Sequence, residues 1–135
     1  MSLTLTDQDK LTLRTAAYGA VTLMSAADAT GRPSRAAADG SIALTSATGL
    51  VGHVLADYPK GVKLDGKSVA AIADRVLPAL AAAMGLLKKQ DPAEADNFRT
   101  TVLVAVESAA RTHRRVPSPI LANMIRKITA ALGAA

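Results

Sequence analysis

Five stretches of the chain repeat their apolar residues at the three-to-four-residue spacing of an α-helix, and almost all of those residues are small or aliphatic. Leu13, Ala17, Ala20, Met24 and Ala27 form the first stripe, widened by Val21. Leu44, Ala47, Val51, Val54 and Leu55 form the second. The third runs Val69, Ile72, Val76, Leu80, Ala83 and Leu87, with Ala73, Leu77 and Met84 beside it. Phe98, Val102, Ala105, Val106 and Ala109 make the fourth, and Leu121, Met124, Ile125, Ile128 and Leu132 the fifth. Half of the residues are apolar, yet there is one Phe, two Tyr and no Trp. A core built this way gains its contacts from close approach of small side chains, which suits packed helices better than strands.

Breakers and caps bound these stripes. Thr6 and Asp9 have the spacing of a capping box and open a helix expected over about 7–27. Asp28-Ala29-Thr30-Gly31 ends it, and Pro33 suits the first turn of the next helix, which is expected to reach Ala56 with a break or kink at Asp39-Gly40. A gentler role for Gly40, Gly49 and Gly52 is to let another backbone approach closely. Asp65 or Ser68 caps a helix over about 68–88, kinked at Pro78, and Lys88-Lys89 suit its C-terminal end. Asp91-Pro92 opens the next helix and Ser118-Pro119 the last. Thr101 to Val106 alone reads as a strand, but the flanking pattern is helical on both sides.

One order of residues occurs twice. Arg14-Thr15, Ser25-Ala26-Ala27, Arg32 and Pro33-Ser34 return as Arg99-Thr100, Ser108-Ala109-Ala110, Arg115 and Pro117-Ser118. The copies differ only in spacing, the kind of difference that loops tolerate. The expectation is one all-α domain over 1–135, a bundle of five or six helices with internally duplicated helix-turn-helix halves at about 7–57 and 92–133 and a helix at about 68–88 between them. A weaker echo sets Arg14, Gly19 and Leu23 against Arg35, Gly40 and Leu44.

The net charge of +5 permits contact with nucleic acid or an anionic membrane without requiring it. No cysteine is present, which removes thiol nucleophiles, disulfides and cysteine metal sites. No basic segment followed by an apolar run opens the chain, so a cytoplasmic protein is expected. The longest uncharged stretch, Ser41 to Ala56, is too short and too polar to span a membrane.

Candidate chemistry is sparse. Gly61 to Ser68 matches the phosphate-binding pattern G-x-x-x-x-G-K-[ST], in which Gly66, Lys67 and Ser68 would hold phosphate and magnesium. That loop works between a buried strand and a helix, and no strand precedes Gly61, so helix capping is the expected role. Arg111-Thr112-His113-Arg114-Arg115 is the densest basic cluster, and Arg111, Arg114 and Arg115 could contact phosphates, although stacking aromatics are lacking. Asp28 and Asp39 bracket the first turn and could hold a hard cation, while turn or capping roles are commoner for such aspartates. His53 and Asp57 have the spacing of two metal ligands on one helix face without a third, and a structural His53 is favoured. Neither histidine has a serine and acid framework, and no catalytic residues or cofactor are assigned.

Two helix-turn-helix copies around a central helix resemble the tellurite-resistance TerB-like family. The residues that carry this are Ala26-Ala27-Asp28-Ala29-Thr30-Gly31 in the first turn and Ile125-Arg126-Lys127-Ile128-Thr129-Ala130-Ala131-Leu132-Gly133 at the end. The resemblance implies a duplicated helical bundle, an acidic turn position at Asp28, metal binding and a stress-response association; the second turn is basic where that family is acidic. The overall expectation is a non-catalytic binding or assembly module, with a protein partner or a homodimer. The alternative is an anion, nucleotide or nucleic-acid binder using the 61–68 loop or the 111–115 turn.

Overall fold

Thr6 and Asp9 form the expected capping box in both directions: the Asp9 amide donates to Thr6 Oγ1 at 3.0 Å and the Thr6 amide to Asp9 Oδ2 at 3.1 Å. They start α1, Asp7–Ala27, in a computed structural model that describes residues 5–27, 40–56, 68–110 and 119–133. After α1 come α2 (residues 40–45), α3 (Gly49–Leu55), α4 (Val69–Gln90), α5 (Pro92–Ala110) and α6 (Pro119–Ala131). The protein is an all-α bundle, with no strand among the described residues.

The centre of the bundle is α1. Ala16, Ala17, Tyr18, Gly19, Ala20 and Val21 are buried without interruption, so the middle of this helix meets protein on every side. It packs against α3, α4, α5 and α6. Short side chains at Ala16, Ala17, Gly19 and Ala20 let those neighbours approach. The helix lying between the two sequence copies, α4, is therefore not the spatial core.

Arg14 ties α1 to α3. It is half-buried, and its Nε donates to the Val54 carbonyl at 3.4 Å. One turn on, the buried Tyr18 hydroxyl donates to the Leu55 carbonyl at 2.6 Å. Both satisfy carbonyls at the C-terminal end of α3, where the helix leaves its acceptors open. Removing that hydroxyl leaves a buried acceptor without its donor. Tyr18→Phe is expected to cost about 1–2 kcal/mol in urea unfolding, and an unchanged midpoint would disprove this capping role.

Of the break expected at Asp39-Gly40, Asp39 lies outside the described residues and Gly40 is helical; among the described residues the helical run is interrupted at 46–48. Three donors crowd the Ile42 carbonyl there: the Ser46 amide at 3.1 Å, the Ser46 hydroxyl at 2.8 Å and the Thr45 hydroxyl at 3.1 Å. Such hydroxyls compete with the backbone ladder and end α2. Thr48 is extended and Gly49 has φ +73°, a left-handed conformation that glycine adopts readily, so α3 starts in a new direction. Gly40 instead serves close approach. A Cβ there would lie 2.7 Å from a Val21 methyl and 3.3 Å from the Ala105 carbonyl oxygen.

Pro78 sits inside α4 without ending it. Asp91 joins α4 to α5 by itself. Its amide donates to the Leu87 carbonyl at 2.7 Å to close α4, while its Oδ1 accepts from the Ala93 amide at 3.0 Å to open α5, with Pro92 at the first helical position. Thr101 to Val106 lie in α5, and Phe98, Val102, Ala105, Val106 and Ala109 form its buried face as expected. Leu121, Met124 and Ile128 fasten α6, Leu132 is buried just beyond it, and Gly133 follows with φ +73°.

Candidate functional site

The outer side of α4 is an exposed surface made largely of small residues. Its inner face supplies Ile72, Val76, Leu80, Ala83, Met84 and Leu87 to the core. Ala71, Pro78, Ala81, Ala82 and Gly85 are exposed on the opposite side of the helix. A Cβ added at Gly85 would meet nothing within 4 Å. Only 28% of the most apolar 18-residue window of this helix is buried, so much of its apolar length faces outward. By length and composition α4 is also the one described helix that could cross a membrane, yet its inner face packs on α1, α5 and α6 as a bundle helix does.

Charges bracket this face. Asp74 and Arg75 are exposed toward its start, Lys88 and Lys89 toward its end. None of the four makes an ion pair among the described residues, where Arg99–Asp96 at 2.9 Å is the one ion pair formed. Beside the face, α1 and α4 enclose an open groove of about 340 Å³. Leu11, Pro78, Ala79 and Ala82 give it an apolar lining, while Gln8, Thr12, Thr15 and Arg75 supply polar groups. Arg75 is its single ionisable residue, so the groove itself offers no acid–base pair.

A second polar cluster holds α3 in place. Thr48 occupies the N-cap position of α3 without a side-chain cap bond. Glu94, in the first turn of α5, takes over: its Oε1 accepts from the Val51 amide at 3.1 Å. Asn97 Nδ2 donates to the Thr48 carbonyl at 2.9 Å. A carboxylate over a helix start meets both open amides and the positive end of the dipole. Glu94→Ala is expected to lower stability by about 1–2 kcal/mol and Glu94→Gln by less, because the amide keeps an acceptor oxygen. Equal losses in thermal melts of the two variants would remove the role of that oxygen.

Of the residues singled out in the sequence, Ser68 and His53 are described. Ser68 is the N-cap of α4, its hydroxyl accepting from the Ala71 amide at 3.1 Å. His53 is exposed in the last turn of α3. Asp28, Asp39, Asp57, Gly66, Lys67, Arg111, Arg114 and Arg115 lie outside the described residues. Among those described, no three His, Asp or Glu side chains gather where they could hold a metal ion.

The outward face of α4 was missed by sequence reasoning, although its signal is present. Every residue of it stands in register in the sequence, but a helix with one good core face draws attention away from its other side. No protein-family model, no curated protein and no solved structure matches the chain.

Proposed function

We propose that the protein is a helical assembly module whose contact surface is the outer face of α4. The observation that carries this reading is the exposure of Ala71, Pro78, Ala81, Ala82 and Gly85 on a helix whose apolar length exceeds what its own core uses. Apolar surface left in water is unfavourable by roughly 25 cal/mol per Å², and contiguous patches of it mark interaction sites. Small residues also lose little side-chain entropy when covered. Burying this face against another protein thus meets little opposition.

The test is site-specific photo-crosslinking in the cells that make the protein. A benzophenone side chain at Ala82 should yield a discrete crosslinked product, and one at the exposed Thr100 of α5 should not. Equal yields at the two positions would sink the reading. Gly85→Glu supplies the companion variant. Because the space around Gly85 is open, its melting temperature should stay close to that of the parent while the Ala82 product disappears.

The duplication is a separate proposal about how the chain arose. It is supported by the two arginines that open the copies, since Arg14 Nε donates to the Val54 carbonyl at the end of α3 and Arg99 Nε to the Leu132 carbonyl at the end of α6, at 3.4 and 3.3 Å. The spacing inside the copies argues the other way. Arg14 to Ala27 and Arg99 to Ala110 each lie within one unbroken helix, so the two-residue difference falls in no loop and turns the Ser-Ala-Ala markers by about 200°.

A further inference from the structure

We infer that the groove between α1 and α4 binds a small carboxylate with an apolar body, its charge on Arg75 and its carbon skeleton against Leu11, Pro78 and Ala82. The site takes a small molecule and needs no protein partner on α4. Its basis is a set of polar side chains that converge on the groove and that the fold itself does not use.

Arg75 forms no ion pair and no hydrogen bond among the described residues. Thr15 differs from its neighbours in the same way. Of the three threonines inside α1, Thr12 donates its hydroxyl to the Gln8 carbonyl at 3.0 Å and Thr22 to the Tyr18 carbonyl at 2.9 Å, the usual bond back along a helix. Thr15 is half-buried at the groove, and its hydroxyl has no partner among the described residues. The side-chain amide of Gln8, at the same groove, is unpaired there too.

All three groups can donate, and Arg75 can only donate, so the complementary head is rich in acceptors. A carboxylate offers acceptor oxygens alone, and its plane fits the guanidinium fork. Its one negative charge equals the one positive charge of the groove, whereas a phosphate brings nearly two. The remaining lining selects the body of the ligand. Leu11, Pro78, Ala79 and Ala82 offer no side-chain donor or acceptor, and the small side chains of Ala79 and Ala82 leave room above α4. At about 340 Å³ the groove stands at the small end of the range for small-molecule sites, which suits a single ring or a short chain better than a long acyl tail.

The test is titration of the isotope-labelled full chain with phenylbutyrate, read by backbone amide chemical shifts. The amides of Leu11, Thr15 and Ala79 should move saturably, with a Kd on the order of 1 mM, while those of α6 stay in place. The neutral amide of the same acid should bind about tenfold more weakly, and Arg75→Gln should weaken the acid by a similar factor. Arg75→Lys should lose less, because the charge stays and only the fork goes. Thr15→Val keeps the shape, removes the hydroxyl and should cost about threefold. Arg75 is exposed and makes no contact that holds the fold, so circular dichroism of its variants should match the parent. Absence of saturable shifts at these amides overturns the site. Equal binding of acid and amide, or of parent and Arg75→Gln, overturns the carboxylate as its ligand. Inorganic phosphate that moves the same amides with equal or higher affinity overturns the apolar body and leaves a site for a bare anion.

Discussion

Gly52→Ala is expected to destabilise the protein by about 2–4 kcal/mol, a fall in melting temperature on the order of 10 °C. The reason lies in what the new methyl group meets. A Cβ on Gly52 would overlap the carbonyl group of Ala47, in the segment where the chain turns from α2 into α3. A crowded side chain can rotate away; a crowded backbone carbonyl can move only if the turn moves with it. That turn is held by Glu94 on the Val51 amide, Asn97 on the Thr48 carbonyl and the left-handed Gly49, so relief at one point breaks contacts at another. Gly85→Ala is the control. It places the same methyl group in open space within a helix and should stabilise by about 0.5–1 kcal/mol. Thermal melts in which both variants shift in the same direction would show that the Ala47 contact does not set the outcome.

Phe98→Ala should cost about 4 kcal/mol, toward the upper part of the range for removing a buried aromatic ring. Phe98 is the one phenylalanine in the chain and is fully buried in α5. What surrounds it in the core is mostly Ala, Val and Leu, and such side chains have few rotamers with which to fill a vacated volume. The cavity therefore persists, and its lining loses contacts outright. Phe98→Leu keeps part of the volume and should lose about half as much. Urea unfolding at constant m-value measures both. Equal, small losses would mean that the core collapses around the site after all.

The sequence carries the helices well because their ends are chemically marked. Thr6 with Asp9, Ser68, and Asp91-Pro92 each start a helix where their spacing predicts it, and the inner faces of α4, α5 and α6 follow the apolar stripes. Local chemistry decides these features, so a local reading reaches them. The centrality of α1 is different. Its middle residues are mostly alanine and glycine, which are compatible with a surface as readily as with a centre, and only the arrival of other helices makes the distinction. The break at 46–48 was hidden for a related reason. Glycine at position 40 reads as the weaker link on helix propensity, whereas competition of Thr45 and Ser46 for one carbonyl depends on hydroxyl geometry. The partners of Arg14, Tyr18 and Glu94 lie about forty residues away along the chain, beyond the reach of any spacing rule. For function, the phosphate-like loop and the basic turn drew attention because they are recognisable strings, and the exposed face of α4 did not because its meaning depends on which side of the helix the core claims.

The single residue between α4 and α5 has a consequence for how this protein can vary. Asp91 ends one helix with its amide and begins the next with its carboxylate, so the joint has no slack to absorb a change in length. One inserted residue carried into α5 would turn that helix by about 100° and swing Phe98, Val102 and Val106 away from the core. Length changes among relatives of this chain should therefore accumulate at its other connections, and this joint should remain constant in length even where its sequence drifts.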